Sequence, residues 1–148
     1  MQHQGRGSLE DYTSLKDRLD TLNIPYYPMA GNHDNRFLLR STFTLPDSCM
    51  REYIQYSIKT PERTFLCLDT LKPGSDAGEL CKSRLDWLSD ELQTASDHPV
   101  YLFMHHPPMK LGLPMQDTEK VESGDEFLEA IEHSQQLKYM FTDQSLAV

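Results

Sequence analysis

Two four-residue words constrain this chain more than any other feature: Gly31-Asn32-His33-Asp34 and His105-His106-Pro107-Pro108. Each directly follows an apolar stretch that reads as a β-strand, Tyr26-Tyr27-Pro28-Met29 for the first and Val100-Tyr101-Leu102-Phe103-Met104 for the second. Imidazoles and an amide oxygen thus fall at strand C-terminal ends, where open α/β sheets assemble their sites. Mixed nitrogen and oxygen donors suit borderline-hard divalent cations. The pair points to metal-assisted chemistry on phosphate esters.

The 148 residues are enough for one ordinary core, so a single domain over 1–148 is expected. The formal charge of −9 argues against a nucleic-acid polymer as partner, which would require a basic surface. A small anionic substrate is compatible with it, because a bound cation reverses the local field. No apolar run approaches the roughly 20 residues that cross a bilayer, and residues 1–8 contain no apolar leader-like segment. Cys49, Cys67 and Cys81 match no zinc-binding spacing and read as reduced, packed thiols. A cytoplasmic protein without membrane association is the expectation.

Along the chain, Ser8 is the expected N-cap of a helix whose apolar stripe is Leu9, Tyr12, Leu15, Leu19 and Leu22, stopped before Pro25. Tyr26 to Met29 reads as a short strand, and Asn35 to Arg40 as a brief helix capped by Asp34. Alternation over Tyr53 to Lys59 and again over Thr64 to Asp69, with a Thr60–Arg63 turn between, predicts an antiparallel hairpin. A helix follows on Leu85, Leu88 and Leu92 beside Trp87, then the strand Val100 to Met104 and a long loop, Met109 to Gly124. Phe127, Leu128 and Ile131 mark another helix, and Leu137 to Thr142 a last strand. Strands and helices alternating around one hairpin give an α/β fold with a mixed sheet.

GNHD after a strand, an aromatic-rich hairpin, a W-L-x-x-x-L helix and a strand ending in HHPP, in that order, resemble the calcineurin-like metallophosphoesterase superfamily. Within it the chain is similar to the class III cyclic nucleotide phosphodiesterase and glycerophosphodiesterase branch, from about Leu9 to Thr142. The resemblance implies an αββα sandwich holding two divalent ions (Mn, Fe, Zn or Co). It implies that Asn32, through its amide oxygen, and His105 ligate the second of these. His33 resembles the family's non-ligand catalytic histidine, and His106 is placed between a substrate contact and a plain loop residue. Two such ions clamp a phosphoryl group and supply a hydroxide for in-line attack. A histidine beside them stabilises developing charge or protonates the leaving alkoxide.

Other parts of the family pattern have no counterpart here. No Asp-x-His and no strand ending in Gly-Asp precede Asn32, and after Thr142 the chain reads Asp143-Gln144-Ser145-Leu146-Ala147-Val148 in place of Gly-His-x-His. The expectation is therefore a partial domain, truncated at both ends, that binds at most one metal ion weakly and is inactive by itself. Its substrate class would be a small phosphodiester, such as a 3',5'-cyclic nucleotide, or a phosphomonoester. The alternative is a non-catalytic remnant that binds a partner through the Met109 to Gly124 loop.

Taken singly, each word has a simpler explanation. Gly31 to Asp34 suits a turn with Asn32 or Asp34 capping the next helix, and the prolines of the second word simply end a strand. It is the two together that favour the metal reading. Asp34 is assigned to capping, Asp69 has no evident ligand partner, and His3, His98 and His133 read as surface residues.

Overall fold

Ser8 opens the first helix, α1 (Leu9–Leu19), through a capping box: its hydroxyl accepts the Asp11 N–H at 3.2 Å while the Asp11 carboxylate accepts the Ser8 N–H at 2.7 Å. The computed structural model describes residues 7–95, 97–114 and 116–142; His3 and residues 143–148 lie outside them. The expected apolar stripe of α1 is buried only in part. Tyr12 is enclosed and Leu19 packs against the core, but Leu9, Leu15 and Leu22 are 56%, 49% and 48% exposed. No described element covers that flank of the helix.

Tyr26 to Met29 has no regular secondary structure and joins no described strand, which corrects the expected short strand. Pro25 and Pro28 remove two backbone donors from the segment, so a regular ladder is unavailable to it. Tyr56 Oη instead donates to the Pro28 carbonyl at 2.7 Å and pins the segment against the sheet. Helix α2 (Arg36–Thr42) begins one residue later than expected. Its N-cap is Asn35, whose side-chain oxygen accepts the Leu38 N–H at 3.1 Å; Asp34 has another task.

The hairpin forms as predicted, with β1 (Tyr56–Lys59) antiparallel to β2 (Thr64–Cys67) and Lys59 opposite Thr64. Both strands are shorter than the alternation suggested. At their open end, Ile54 N–H is taken by the Asp69 carboxylate at 2.8 Å, and Asp69 N–H by Gln55 Oε1 at 3.2 Å. Side chains replace the ladder there, so strand geometry stops.

Helix α3 (Lys82–Thr94) carries the chain to β3 (Val100–Met104), parallel to β2, and α4 (Gly124–Ile131) carries it to β4 (Leu137–Thr142), parallel to β3. The sheet order β1-β2-β3-β4, with one antiparallel and two parallel pairings, is the mixed α/β sheet that the sequence predicts. It is compatible with one sheet and its helices in a metallophosphoesterase-type sandwich.

Two apolar clusters lie on opposite sides. Leu66, Leu88, Leu92, Val100, Leu102, Met104 and Phe127 fill the side covered by α3 and α4, with Trp87 packed against them. Each fully buried leucine contributes roughly 1.5–3 kcal/mol of transfer free energy. Tyr12, Ala30, Leu39, Phe43, Ile54, Tyr56 and Leu71 form the second cluster beneath α1 and α2. Toward β4 this second face is a ladder of rings, Phe65–Tyr101–Tyr139 and Phe103–Phe141, and its outer members Tyr139 and Phe141 are 59% and 47% exposed. Among the described residues no helix is long and apolar enough to cross a membrane.

Candidate functional site

The two words meet in space. His105 follows the last residue of β3, and Asn32 sits in the turn before α2; Asn32 Oδ1 and His105 Nε2 are 3.2 Å apart across 73 positions of sequence. Gly31 makes this approach possible. A methyl group at its Cα would lie 3.2 Å from His105 Nε2 and Cε1, so the glycine lies flat against the imidazole. His33 is the other central residue of that turn and is exposed to solvent.

Hydrogen bonds close the turn from below. The Asp34 N–H donates to the Gly31 carbonyl at 3.2 Å, and the Gly31 N–H donates to Asp34 Oδ2 at 2.7 Å. Asp34 Oδ1 accepts Tyr12 Oη at 2.6 Å. Asp34 is therefore the clamp of the turn rather than the cap of α2, a correction to the sequence reading. A carboxylate accepts at both oxygens, so one side chain can tie its own turn and a neighbouring helix together.

His106 faces away from this pair, into the protein. Its ring is fully buried, and its Nε2–H donates to the Asp76 carbonyl at 3.1 Å. A carbonyl can only accept, so Nδ1 is the bare nitrogen, and Thr70 Oγ1 donates to it at 2.7 Å. Burial, then the neighbouring His105, pushes the His106 pKa down to about 4 and keeps the ring neutral. Gly78 gives the ring its space: a Cβ there would stand 2.6 Å from His106 Cγ. Both ring nitrogens are thus engaged with protein groups.

Asp69, which the sequence left without a partner, is a buried hub beside the turn. It takes Arg36 Nε and Nη2 at 2.6 and 2.9 Å, and the Ile54 and Leu71 N–H groups at 2.8 and 3.0 Å. Arg84, only 2% exposed, donates Nη1 to the Asp69 carbonyl at 2.8 Å and lies over the Tyr53 ring. A buried arginine on the helix stripe is not visible in apolar periodicity, and Tyr12 was legible only as one member of such a stripe.

Next to the turn lies a cleft of about 190 Å³ lined by Asn32, Asp34, Asn35, Arg36, Phe37, Leu71 and Pro73. The spacing of Asn32 Oδ1 and His105 Nε2 suits two donors on one cation, given metal–ligand distances of about 2.0–2.2 Å. Among the described residues, however, no group of three His, Cys, Asp or Glu side chains converges to hold a metal ion. The described donor set is therefore an amide–imidazole pair.

The chain belongs to the metallophosphoesterase family, in its class III cyclic nucleotide and glycerophosphodiester phosphodiesterase branch. Proteins named as phosphodiesterases are homologues of this chain over most of its length, at 26–35% identity, so the resemblance read from the two words holds. A probable cyclic nucleotide phosphodiesterase of a Synechococcus species is 35% identical over 141 residues, covering 92% of this chain and 51% of the relative. A probable glycerophosphodiester phosphodiesterase of Arcobacter nitrofigilis is 32% identical over 123 residues, covering 82% of this chain and 45% of the relative. A 3',5'-cyclic-nucleotide phosphodiesterase of a Nostoc species is 26% identical, covering 89% of this chain and 48% of the relative. No family model matches the chain. The chain spans about half the length of the curated relatives it matches.

Proposed function

We propose that this chain carries one half of a dinuclear phosphodiesterase site, with Asn32 and His105 as ligands of one divalent cation and His33 as the catalytic acid beside it. The observation that carries the reading is the 3.2 Å approach of Asn32 Oδ1 to His105 Nε2. A plain hydrogen bond between them has the same length; the naming of the relatives as phosphodiesterases favours the metal reading.

When bound, a divalent cation lowers the pKa of a coordinated water and polarises the phosphoryl oxygen. The residues supply the rest. Asn32 and His105 orient the cation by one neutral oxygen and one imidazole nitrogen, and for that His105 Nε2 must be unprotonated. His33, exposed on the same turn, donates a proton to the departing alkoxide oxygen, a role worth about two to four decades in rate. His106, held by Thr70 and the Asp76 carbonyl, fixes the backbone next to His105; in this proposal it makes no substrate contact. The substrate class is a small phosphodiester, with the cleft between Asn32 and Phe37 receiving part of it.

Two neutral donors hold a cation weakly, since catalytic zinc sites use three protein ligands. The chain is accordingly proposed to bind a single ion with low affinity and to turn over little or no ester by itself. Thermal melts with and without Mn²⁺ test the site. At ten times Kd, binding adds about 1.4 kcal/mol of stability, or roughly 3–6 °C in a chain of this size. The shift is expected in the native chain and absent in Asn32→Ala and His105→Ala. No shift at any tolerated Mn²⁺ concentration overturns the metal assignment. With a 3',5'-cyclic nucleotide, whose leaving group is an alkoxide, turnover that is undiminished in His33→Ala removes the acid role.

A second reading draws on the exposure of Met109, Leu111 and Leu113, at 43–46%, in the loop after His106. An apolar loop of this kind suits a protein partner and no catalysis. It predicts a folded chain that Mn²⁺ does not stabilise.

A further inference from the structure

Tyr12 belongs to α1 and lies some twenty residues before the turn that carries Asn32, yet its hydroxyl makes its two bonds there. It donates to Asp34 Oδ1 at 2.6 Å and accepts the Asn35 N–H at 2.9 Å. The direction is fixed by chemistry: the carboxylate can only accept and the backbone N–H only donate. Asp34 Oδ2 meanwhile holds the Gly31 N–H at 2.7 Å, and the Gly31 carbonyl takes the Asp34 N–H at 3.2 Å. Asn32 and His33 are the two central residues of the turn closed in this way.

We infer that Tyr12 is a positioning residue, which sets the placement of Asn32 and His33 by anchoring the Asp34 clamp and the N-cap of α2 at one oxygen. The inference rests on the reading of Asn32 and His105 as ligands of one cation. It assigns two separable jobs to one side chain. The ring is buried in the cluster that contains Ala30, Leu39 and Phe43, and that packing needs no oxygen. The hydroxyl adds nothing to apolar burial; among the described residues its hydrogen bonds go to residues 34 and 35. Burial, then the Asp34 carboxylate, pushes its pKa up to about 12, so the proton that Asp34 needs stays in place at any working pH.

Removing that oxygen leaves Asp34 with its partner inside the turn alone and leaves the Asn35 N–H without its acceptor. The turn then gains freedom relative to Gly31, whose Cα face rests against the His105 ring. Partners of this kind, which orient a ligand without touching the metal, are worth about ten- to a hundredfold in metal affinity.

The test compares the full chain with Tyr12→Phe and with Leu19→Ala, an apolar deletion on the same helix. Mn²⁺ affinity is read by paramagnetic broadening of ¹⁵N-labelled amide signals. Tyr12→Phe is expected to weaken Mn²⁺ binding about ten- to a hundredfold, and Leu19→Ala to lower the melting temperature while leaving affinity within about twofold. Equal affinity in Tyr12→Phe and the native chain overturns the inference, as does an equal loss in Leu19→Ala. If the native chain binds no Mn²⁺, the metal reading fails on its own, and Tyr12 is judged in metal-free protein. There, the side-chain amide signals of Asn32 and the ring signals of His105 must move in Tyr12→Phe and stay put in Leu19→Ala; unmoved signals overturn it.

Discussion

Arg36 and Asp69 form a two-pronged pair, Nε to Oδ2 at 2.6 Å and Nη2 to Oδ1 at 2.9 Å, with the carboxylate fully buried. The pair joins the first turn of α2 to the segment just past β2, and so ties the Asn32 turn to the sheet. Removing one member of a buried pair leaves the other charge uncompensated, at a cost of about 3–5 kcal/mol. Asp69→Ala is expected to lose that much in urea unfolding. Arg36→Lys should also fall well short of the native chain, because an ammonium cannot reproduce the planar fork. If Arg36→Lys melts with the native protein, the fork geometry has no energetic weight.

Gly31→Ala tests how closely the turn must approach His105. The added methyl would stand 3.2 Å from Nε2, so the imidazole has to give by a few tenths of an ångström. The expected result is a loss of stability of about 1–3 kcal/mol, toward the lower end where a slight ring movement relieves the contact, together with loss of the Mn²⁺-induced thermal shift. Retention of the full shift would show that the contact is not needed for the donor pair.

Thr70→Val removes the donor to His106 Nδ1 and the acceptor of the His106 N–H. An unsatisfied buried group costs about 1–3 kcal/mol, so a lower denaturant midpoint with an unchanged slope is expected. Gly78→Ala should be no milder, since its Cβ would press to 2.6 Å on a ring that hydrogen bonds hold in place. Native-like stability in both variants would remove the structural role given to His106.

Cys81 should be the reactive thiol of the three. Burial raises its pKa, but hydrogen bonds from Ser83, Tyr53 and both the backbone and side chain of Arg84 outweigh this and bring it down to about 6. Burial pushes Cys67 up to about 11 and also raises Cys49. Iodoacetamide should therefore modify Cys81 at pH 7, with a rate that rises through a midpoint near the folded value of about 6, while the other two stay protected. The linkage has a definite sign. A folded pKa depressed below the ordinary thiol value of 9.0 means stability gained as pH rises from about 6 to 9 and lost on the way down. Replacing Cys81 with Ser should flatten that part of the pH–stability curve. Labelling of Cys81 with a midpoint above pH 8 would contradict the arrangement.

Local chemistry was readable where one residue type answers one physical need. Ser8 announces an N-cap, Val100 to Met104 a strand, and Thr60–Arg63 a hairpin turn; all three are observed. The reading failed where a backbone group has a choice of partner. Tyr26 to Met29 has strand-like residues but prolines in place of donors, and the expected strands at Tyr53 and Asp69 end early because a carboxylate and an amide side chain take over the ladder. Asp34 and Asn35 are both good caps by type, and only the position of Tyr12 decides which one caps α2 and which one clamps the turn.

By itself the sequence determined the order of the helices and of the four sheet strands, the mixed sheet and the strand-end location of His105, because hydrophobic period and turn chemistry act over a few residues. The 3.2 Å meeting of Asn32 with His105, the withdrawal of His106 into the core and the Arg36–Asp69 tie were decided by tertiary structure. Those contacts join residues 33 to 73 positions apart or depend on which face a side chain finds buried, and no local pattern encodes either.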